Sequence, residues 1–253
     1  MKQLADGFWN FRGSFKIGGL IDIGTQMSLV RRKNGRFILL DSYSLDDADK
    51  RELLNLTDGG TKIDAIINVH PFHTIHCSAA HDLAPQARLI GTRRHHQQMP
   101  DLPWADGVIE DEATQAEFAE DLEFTVPDGL LLVTPDDSVH AASVLARHRA
   151  SSIVHVDDTL NVLDAPGFLK RIFPTSSLRF HPMLGKALEP SAGAANAFDS
   201  WAREIAERWA GTPFVCAAHS AVRTLGSDGW REEILNALSA VQKTLDSHRE
   251  KHC

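Results

Sequence analysis

The chain has 253 residues, 43% of them apolar and 24% charged, which is typical of a globular protein with room for a sizeable core. Its net charge of -8 argues against nucleic acid as the main partner, because phosphate binding needs clustered lysine and arginine. No stretch approaches the roughly 20 apolar residues that cross a bilayer, and the N-terminus lacks the apolar run of a secretory signal. Three cysteines, an odd number, favour reduced thiols, and we therefore expect a cytoplasmic protein without a membrane partner.

The first forty residues have the pattern of β-strands. The predicted strands are residues 7–11, 27–30 and 37–40. Asn34 and Gly35, between the last two, are a favoured pair for a two-residue hairpin turn. A helix is predicted over residues 46–56, because aspartates at its start can cap it and two glycines follow its end.

The rest of the chain alternates between strands and helices. Residues 63–69 form an almost unbroken apolar run, which is typical of a strand buried on both faces. After it we predict a helix over residues 77–83, a strand over 87–90, a strand-rich stretch over 122–156, amphipathic helices over 198–209 and 230–245, and a strand over 213–218. This order favours a layered α/β or α+β architecture, which we take as a single domain over residues 1–253.

Potential metal ligands stand at the ends of four predicted strands. They are His70, His73 and His76 after residues 63–69, His140 after residues 130–133, Asp157 and Asp158 after residues 151–156, and His219 after residues 214–218. The chain has 13 histidines against a single tyrosine, and histidine is the commonest metal ligand. Ligands at strand ends can be held by a stiff sheet and still face solvent, as a reactive site requires.

The order of these motifs resembles the metallo-β-lactamase fold superfamily along nearly the whole chain, in a divergent and poorly characterised branch. Residues 37–42 are similar to the family's strand that ends in an aspartate turn, and residues 70–76, His-Pro-Phe-His-Thr-Ile-His, to its His-x-His-x-Asp-His motif. Residues 156–160, Val-Asp-Asp-Thr-Leu, resemble its Gly-Asp-Thr-Leu strand end. His140 and His219 occupy the places of its two later histidines.

The resemblance implies a four-layer αββα sandwich with a metal centre on loops at one edge of its sheets. His70, His73 and His140 would form the first metal site. Asp158 would be the bridging, catalytic residue towards a second site completed by His219 and His76. One or two zinc ions are expected, and these nitrogen and oxygen ligands also accept iron or manganese. Water activated by the metal would then hydrolyse an ester, amide, thioester or phosphoester of a small-molecule substrate.

Two other functions stay open at this stage. An iron-dependent oxidoreductase is one, because the same ligands suit iron. A non-catalytic binding module with a degenerate metal site is the other, because Ile75 stands where the family has an aspartate. No Gly-x-Ser-x-Gly or phosphate-cradling glycine motif offers a rival active site.

Several other residues have two interpretations each. Cys77 is either a soft metal ligand or inert packing, the usual state of a lone buried cysteine. His95, His96 and His181 are expected to be solvated loop residues. A homo-oligomer is also left open, and the candidates for an apolar contact surface are Trp104, Trp201 and Trp230.

Overall fold

A computed structural model describes residues 1–14, 16–17, 21–22, 24–163, 177–218 and 221–252. The chain divides into two compact units. The first unit is Met1–Phe124 with Ala146–His155, and the second is Thr125–Leu145 with Val156–Cys253. The single domain over residues 1–253 stays a prediction.

The first unit contains a six-stranded sheet and short helices. Its elements begin with β1 (Lys2–Ala5), β2 (Phe8–Gly13), β3 (Lys16–Ile17), β4 (Ile21–Asp22), β5 (Thr25–Arg31), β6 (Phe37–Leu40), α1 (Asp47–Leu56) and β7 (Ile63–Ile67). They continue with α2 (Cys77–Leu83), β8 (Arg88–Ile90), α3 (Arg93–Gln98), α4 (Glu112–Ala116), β9 (Leu122–Thr125), β10 (Leu145–His148) and β11 (Val154–Val156). The six-stranded sheet has the order β1-β2-β5-β6-β7-β8. Its pairings are antiparallel from β1 to β6 and parallel for β6–β7 and β7–β8.

Local sequence signals account for the ends of several elements. Gly35 has a φ of 81°, which suits glycine, and it lies in the predicted turn between the antiparallel strands β5 and β6. The Asp46 side chain accepts a hydrogen bond from the backbone N–H of Asp49 and caps α1. The predicted hairpin and the predicted helix over residues 46–56 are therefore confirmed.

The core of the first unit is a cluster of apolar side chains from β2, β5, β6, β7 and β8. Phe11, Met27, Leu29, Leu39 and Ile66 are all fully buried in it. Burial of such side chains is the main stabilising contribution to the sheet. The strand β7, which leads to His70, is therefore held in the core of this unit.

Among its described residues, the second unit contains two strand pairs and three helices. In chain order they are β12 (Leu160–Leu163), β13 (Ser177–Phe180), α5 (Leu184–Ala187), α6 (Ala194–Arg208), β14 (Phe214–Ala217), β15 (Val222–Thr224) and α7 (Gly229–Lys251). The pairs β12–β13 and β14–β15 are both antiparallel. No helix among the described residues is long and apolar enough to span a membrane.

Two predictions about the second unit are wrong. Residues 130–133 form no strand, because only Leu130 bridges a neighbour, Leu188, just beyond the short helix α5. The indoles of Trp201 and Trp230 are buried and donate hydrogen bonds within the unit, to Thr125 Oγ1 and to the carbonyl of Ile205. These two tryptophans are core residues and offer no contact surface.

Candidate metal centre

His70 and His73 stand together in the turn after β7. The His70 ring is buried and that of His73 is half-buried. The ring centroids are 4.1 Å apart, and the two side chains offer ligand nitrogens within 4.8 Å of each other. The backbone N–H of His73 donates to the carbonyl of His70 at 3.1 Å, which closes the turn and brings the rings together. Two imidazoles so placed suit a shared zinc, iron or manganese ion.

Asp41 fixes the strand end from which His70 projects. It lies in the left-handed region, with a φ of 60°, in the turn after β6. Its Oδ1 accepts the backbone N–H of Val69 at 2.8 Å, and its Oδ2 lies 2.7 Å from Nε2 of His155. The other ring nitrogen of His155 lies 2.9 Å from Ser28 Oγ. The chain Ser28–His155–Asp41–Val69 is buried and holds the residue directly before His70.

His155 was not predicted as a site residue from the sequence. The residue occupies the middle of β11, where both neighbours are buried valines. A lone histidine in an otherwise apolar strand needs a hydrogen-bonding partner, and this was the signal available in the sequence.

His95 lies buried in the helix α3, so its prediction as a solvated loop residue is wrong. Its Nδ1 accepts a hydrogen bond from the backbone N–H of Thr92 at 3.1 Å and lies 2.9 Å from Thr92 Oγ1, which forms a capping box. The ring also packs on Trp104, with centroids 5.3 Å apart.

Burial keeps the His95 ring neutral. Desolvation lowers its pKa to about 3, and the charges of His70 and His73 add to the shift, while the backbone of His73 acts in the opposite direction. His95 therefore places a neutral imidazole beside the two candidate ligands at physiological pH.

His96 also lies in α3, half-buried, and its ring stacks on Trp104 with centroids 5.5 Å apart. Burial lowers its pKa as well. His181, in the second unit, is half-buried and its Nδ1 accepts the backbone N–H of Met183. The expectation of a solvated loop residue is therefore wrong for His96, which lies in a helix, whereas His181 does lie in a loop, between β13 and α5.

His76 is at the N-terminus of α2. Its Nδ1 lies 2.8 Å from Ser44 Oγ, and Tyr43 meets its ring edge-on. Burial lowers its pKa first, and the charge of His73 lowers it further. Next to it, Ile75, which stands where the resemblance places an aspartate, is an apolar side chain that is 71% exposed.

Cys77 behaves as a packing residue. Its thiol is buried and lies 3.6 Å from Asn68 Oδ1 and 3.5 Å from the carbonyl of His73. Burial raises its pKa to about 12, so the reactive thiolate is scarce at neutral pH. The structure favours the packing interpretation over the soft-ligand interpretation.

The remaining predicted ligands belong to the second unit. Nε2 of His140 lies 2.7 Å from the carbonyl of Asp137. Asp158 is buried in the turn between β11 and β12, where its carbonyl accepts a hydrogen bond from the Asn161 amide. His219 lies outside the described residues. The ligand roles of these residues stay predictions.

Comparison with known proteins identifies the fold. No family model and no curated protein matches the sequence. A metallo-β-lactamase from Erythrobacter litoralis is 16% identical, with 94% of this chain and 95% of that chain covered at a TM-score of 0.60. TMB-1 is 11% identical, with 96% of both chains covered at 0.61. FIM-1 from Pseudomonas aeruginosa, in its mono-zinc form, is 11% identical, with 94% of both chains covered at 0.57. The chain therefore has the metallo-β-lactamase fold, as its motifs predicted.

Proposed function

We propose that the chain is a metal-dependent hydrolase with a zinc ion held by histidines and an aspartate. The observation that carries the proposal is the His70–His73 pair, whose ligand nitrogens lie within 4.8 Å of each other at the end of β7. The fold supports it, because the similar protein FIM-1 has a mono-zinc form. When bound, the ion would polarise the substrate and activate water for attack.

The chemistry of the donors fits a metal ion. Neutral imidazole is the form that binds metals, and burial and neighbouring charge lower the pKa values of the adjacent His76 and His95. Asp41 helps to position His70, since its carboxylate accepts a hydrogen bond from the backbone N–H of Val69, the preceding residue. Such supporting contacts fix the orientation of ligands in metal sites.

The full ligand set follows the resemblance. His70, His73 and His140 hold the ion, Asp158 is the carboxylate ligand, and His76 and His219 are the residues available to a second ion. We propose one zinc, because Ile75 replaces an aspartate and its exposed side chain offers no ligand atom. The reduced thiols expected from the sequence further favour the cytoplasm.

Arg94 suggests what the substrate carries. Its guanidinium lies 4.3 Å from the centroid of the Phe72 ring, and that ring lies 5.9 Å from the His70 ring. A positive charge this near the candidate ligands favours a substrate with a carboxylate or phosphate group, since arginine matches the geometry of both.

The test is a hydrolysis screen with and without metal. The purified protein would be assayed on ester, thioester and phosphodiester substrates as isolated, after removal of metal by a chelator, and after zinc is restored. We expect activity that disappears with the metal and returns with zinc. Asp158→Ala should abolish it, and His81→Ala, a half-buried histidine of α2, should leave it unchanged. Activity that survives complete removal of metal would refute the proposal, and iron in place of zinc would favour the oxidoreductase.

A further inference from the structure

A cavity of about 930 Å³ lies within the second unit, between the C-terminal half of α7, the helix α5 and the loop before His140. One face of α7 lines it, because Lys243, Ser247 and Lys251 recur at intervals of four residues. Lys186 enters from α5, and Leu131 from the loop. The volume lies in the range of about 300–1,000 Å³ that is usual for small-molecule sites.

The cavity is basic, although the chain as a whole has a net charge of -8. Three ammonium groups line it, those of Lys186, Lys243 and Lys251, and within the described part of the chain none of them forms an ion pair. Asp136 is the one carboxylate in the lining; it accepts hydrogen bonds from the backbone N–H and the hydroxyl of Ser138, and its charge interacts with that of Lys186. Three lysines against one carboxylate leave a net positive charge in the lining, which favours an anion.

Helix ends account for two of these charges but not for the third. Basic residues in the last turn of α7 offset its partial negative charge, which explains Lys251, and Lys186 lies in the last turn of α5. Lys243 lies about 12 Å further from the end of α7, at 1.5 Å per residue. The effect of the helix dipole is confined to the last turn, so it does not explain Lys243.

A smaller cavity in the first unit differs in that its arginines form ion pairs. It has a volume of about 380 Å³ and is also lined by basic side chains. There, however, Arg31 pairs with Asp6 at 2.6 Å and Arg32 with Asp121 at 2.8 Å. These two arginines form ion pairs within the protein, whereas the cavity in the second unit has one carboxylate, Asp136, against three lysines.

We propose that the cavity in the second unit binds a small organic phosphate. Lys186, Lys243 and Lys251 would hold its phosphate groups. Leu131, Val139 and Leu188 line the same cavity and would contact its apolar body. A concave site with both kinds of lining suits an amphipathic small molecule better than a flat acidic protein surface.

The test is calorimetric titration of the full-length protein, with its native metal content, by adenosine 5′-diphosphate. Adenosine and inorganic phosphate are the two further probes. They separate the contribution of the nucleoside to the binding affinity from that of the phosphate groups. We expect the diphosphate to bind at least about tenfold more tightly than either probe. Its affinity should fall as the salt concentration is raised, because salt screens the charges.

Substitution of two lining lysines locates the site. Lys243→Glu and Lys186→Gln change exposed side chains, so both variants should fold, and each should weaken diphosphate binding by about tenfold or more. Lys33→Glu, an exposed lysine of the first unit, is the control and should bind normally. The proposal would be overturned if the diphosphate did not bind at millimolar concentration, or if Lys243→Glu bound it as tightly as the control. Binding of a hexaglutamate peptide in place of the diphosphate would also overturn it. None of these results depends on whether the metal site is active.

Discussion

Replacing Asp41 by alanine should destabilise the first unit severely. The side chain accepts a hydrogen bond from the N–H of Val69 and bonds to His155, both inside the core. Alanine leaves two buried polar groups without partners, at about 1–3 kcal/mol each, and lacks the short polar side chain that lets aspartate adopt the left-handed conformation. We expect a total loss of about 3–5 kcal/mol in the free energy of unfolding, because both groups lose their partners inside the core.

Asp41→Asn removes the negative charge of the side chain and keeps its shape, so it separates the two contributions to stability. Asparagine tolerates the left-handed conformation, and its amide oxygen can still accept from Val69. Its amide N–H₂ can donate to Nε2 of His155 once the proton of that ring moves to Nδ1, which faces Ser28 Oγ. This variant should therefore lose only about 1–2 kcal/mol.

Urea unfolding in the presence of a chelator, followed by tryptophan fluorescence, measures both variants without any contribution from metal. Asp6→Ala is the control, since that carboxylate is 84% exposed and should matter little. A loss below about 1 kcal/mol for Asp41→Ala, or equal losses for alanine and asparagine, would refute the role given to this network.

Three further predictions rest on single features of the structure. Burial lowers the pKa of His95 to about 3 in the folded protein, whereas the same ring in the unfolded chain binds a proton near pH 6.5. The free energy of unfolding should therefore fall as the pH drops from about 6.5 to 3, by on the order of 5 kcal/mol in total. His95→Gln keeps a capping side chain and should flatten that part of the stability curve measured in chelator; an unchanged curve would contradict the assignment. Cys77, with its pKa raised to about 12, should react with a thiol reagent at pH 8 only after unfolding in urea, and rapid labelling of the native Cys77 in a chain lacking the other two cysteines would be inconsistent with its burial. Gly129→Ala would bring a β-carbon into the Ala194 carbonyl and should cost clearly more stability than Gly35→Ala, which meets open space at a similar φ; equal thermal unfolding midpoints would count against the close approach.

Local patterns in the sequence were sufficient for much of the fold. The apolar run before His70, the Asn34–Gly35 turn and the amphipathic pattern of α7 each depend on neighbours within a few residues, and all three elements are present. The prediction of a strand over residues 130–133 was wrong because a strand also depends on residues that are distant in the sequence. A strand needs a partner strand, and no local signal reveals that this segment meets only the end of α5.

The candidate site shows the same division. The His70–His73 pair could be predicted because both residues follow one buried strand and match a motif. The burial of His95 and the contact of His155 with Asp41 could not, because each depends on residues brought together by the tertiary fold. Trp104 covers His95 from outside its helix, and Asp41 precedes His155 by 114 residues.

The most direct test of the account is elemental analysis by plasma mass spectrometry of the purified, untagged protein and of His73→Ala. We expect about one equivalent of zinc per chain in the wild type and, because a first-sphere ligand is removed, at least about tenfold less in the variant under the same dialysis. His81→Ala, prepared in parallel, should keep its zinc. A wild-type protein that binds no zinc, iron or manganese even after supplementation and titration would contradict the metal centre and leave only the fold.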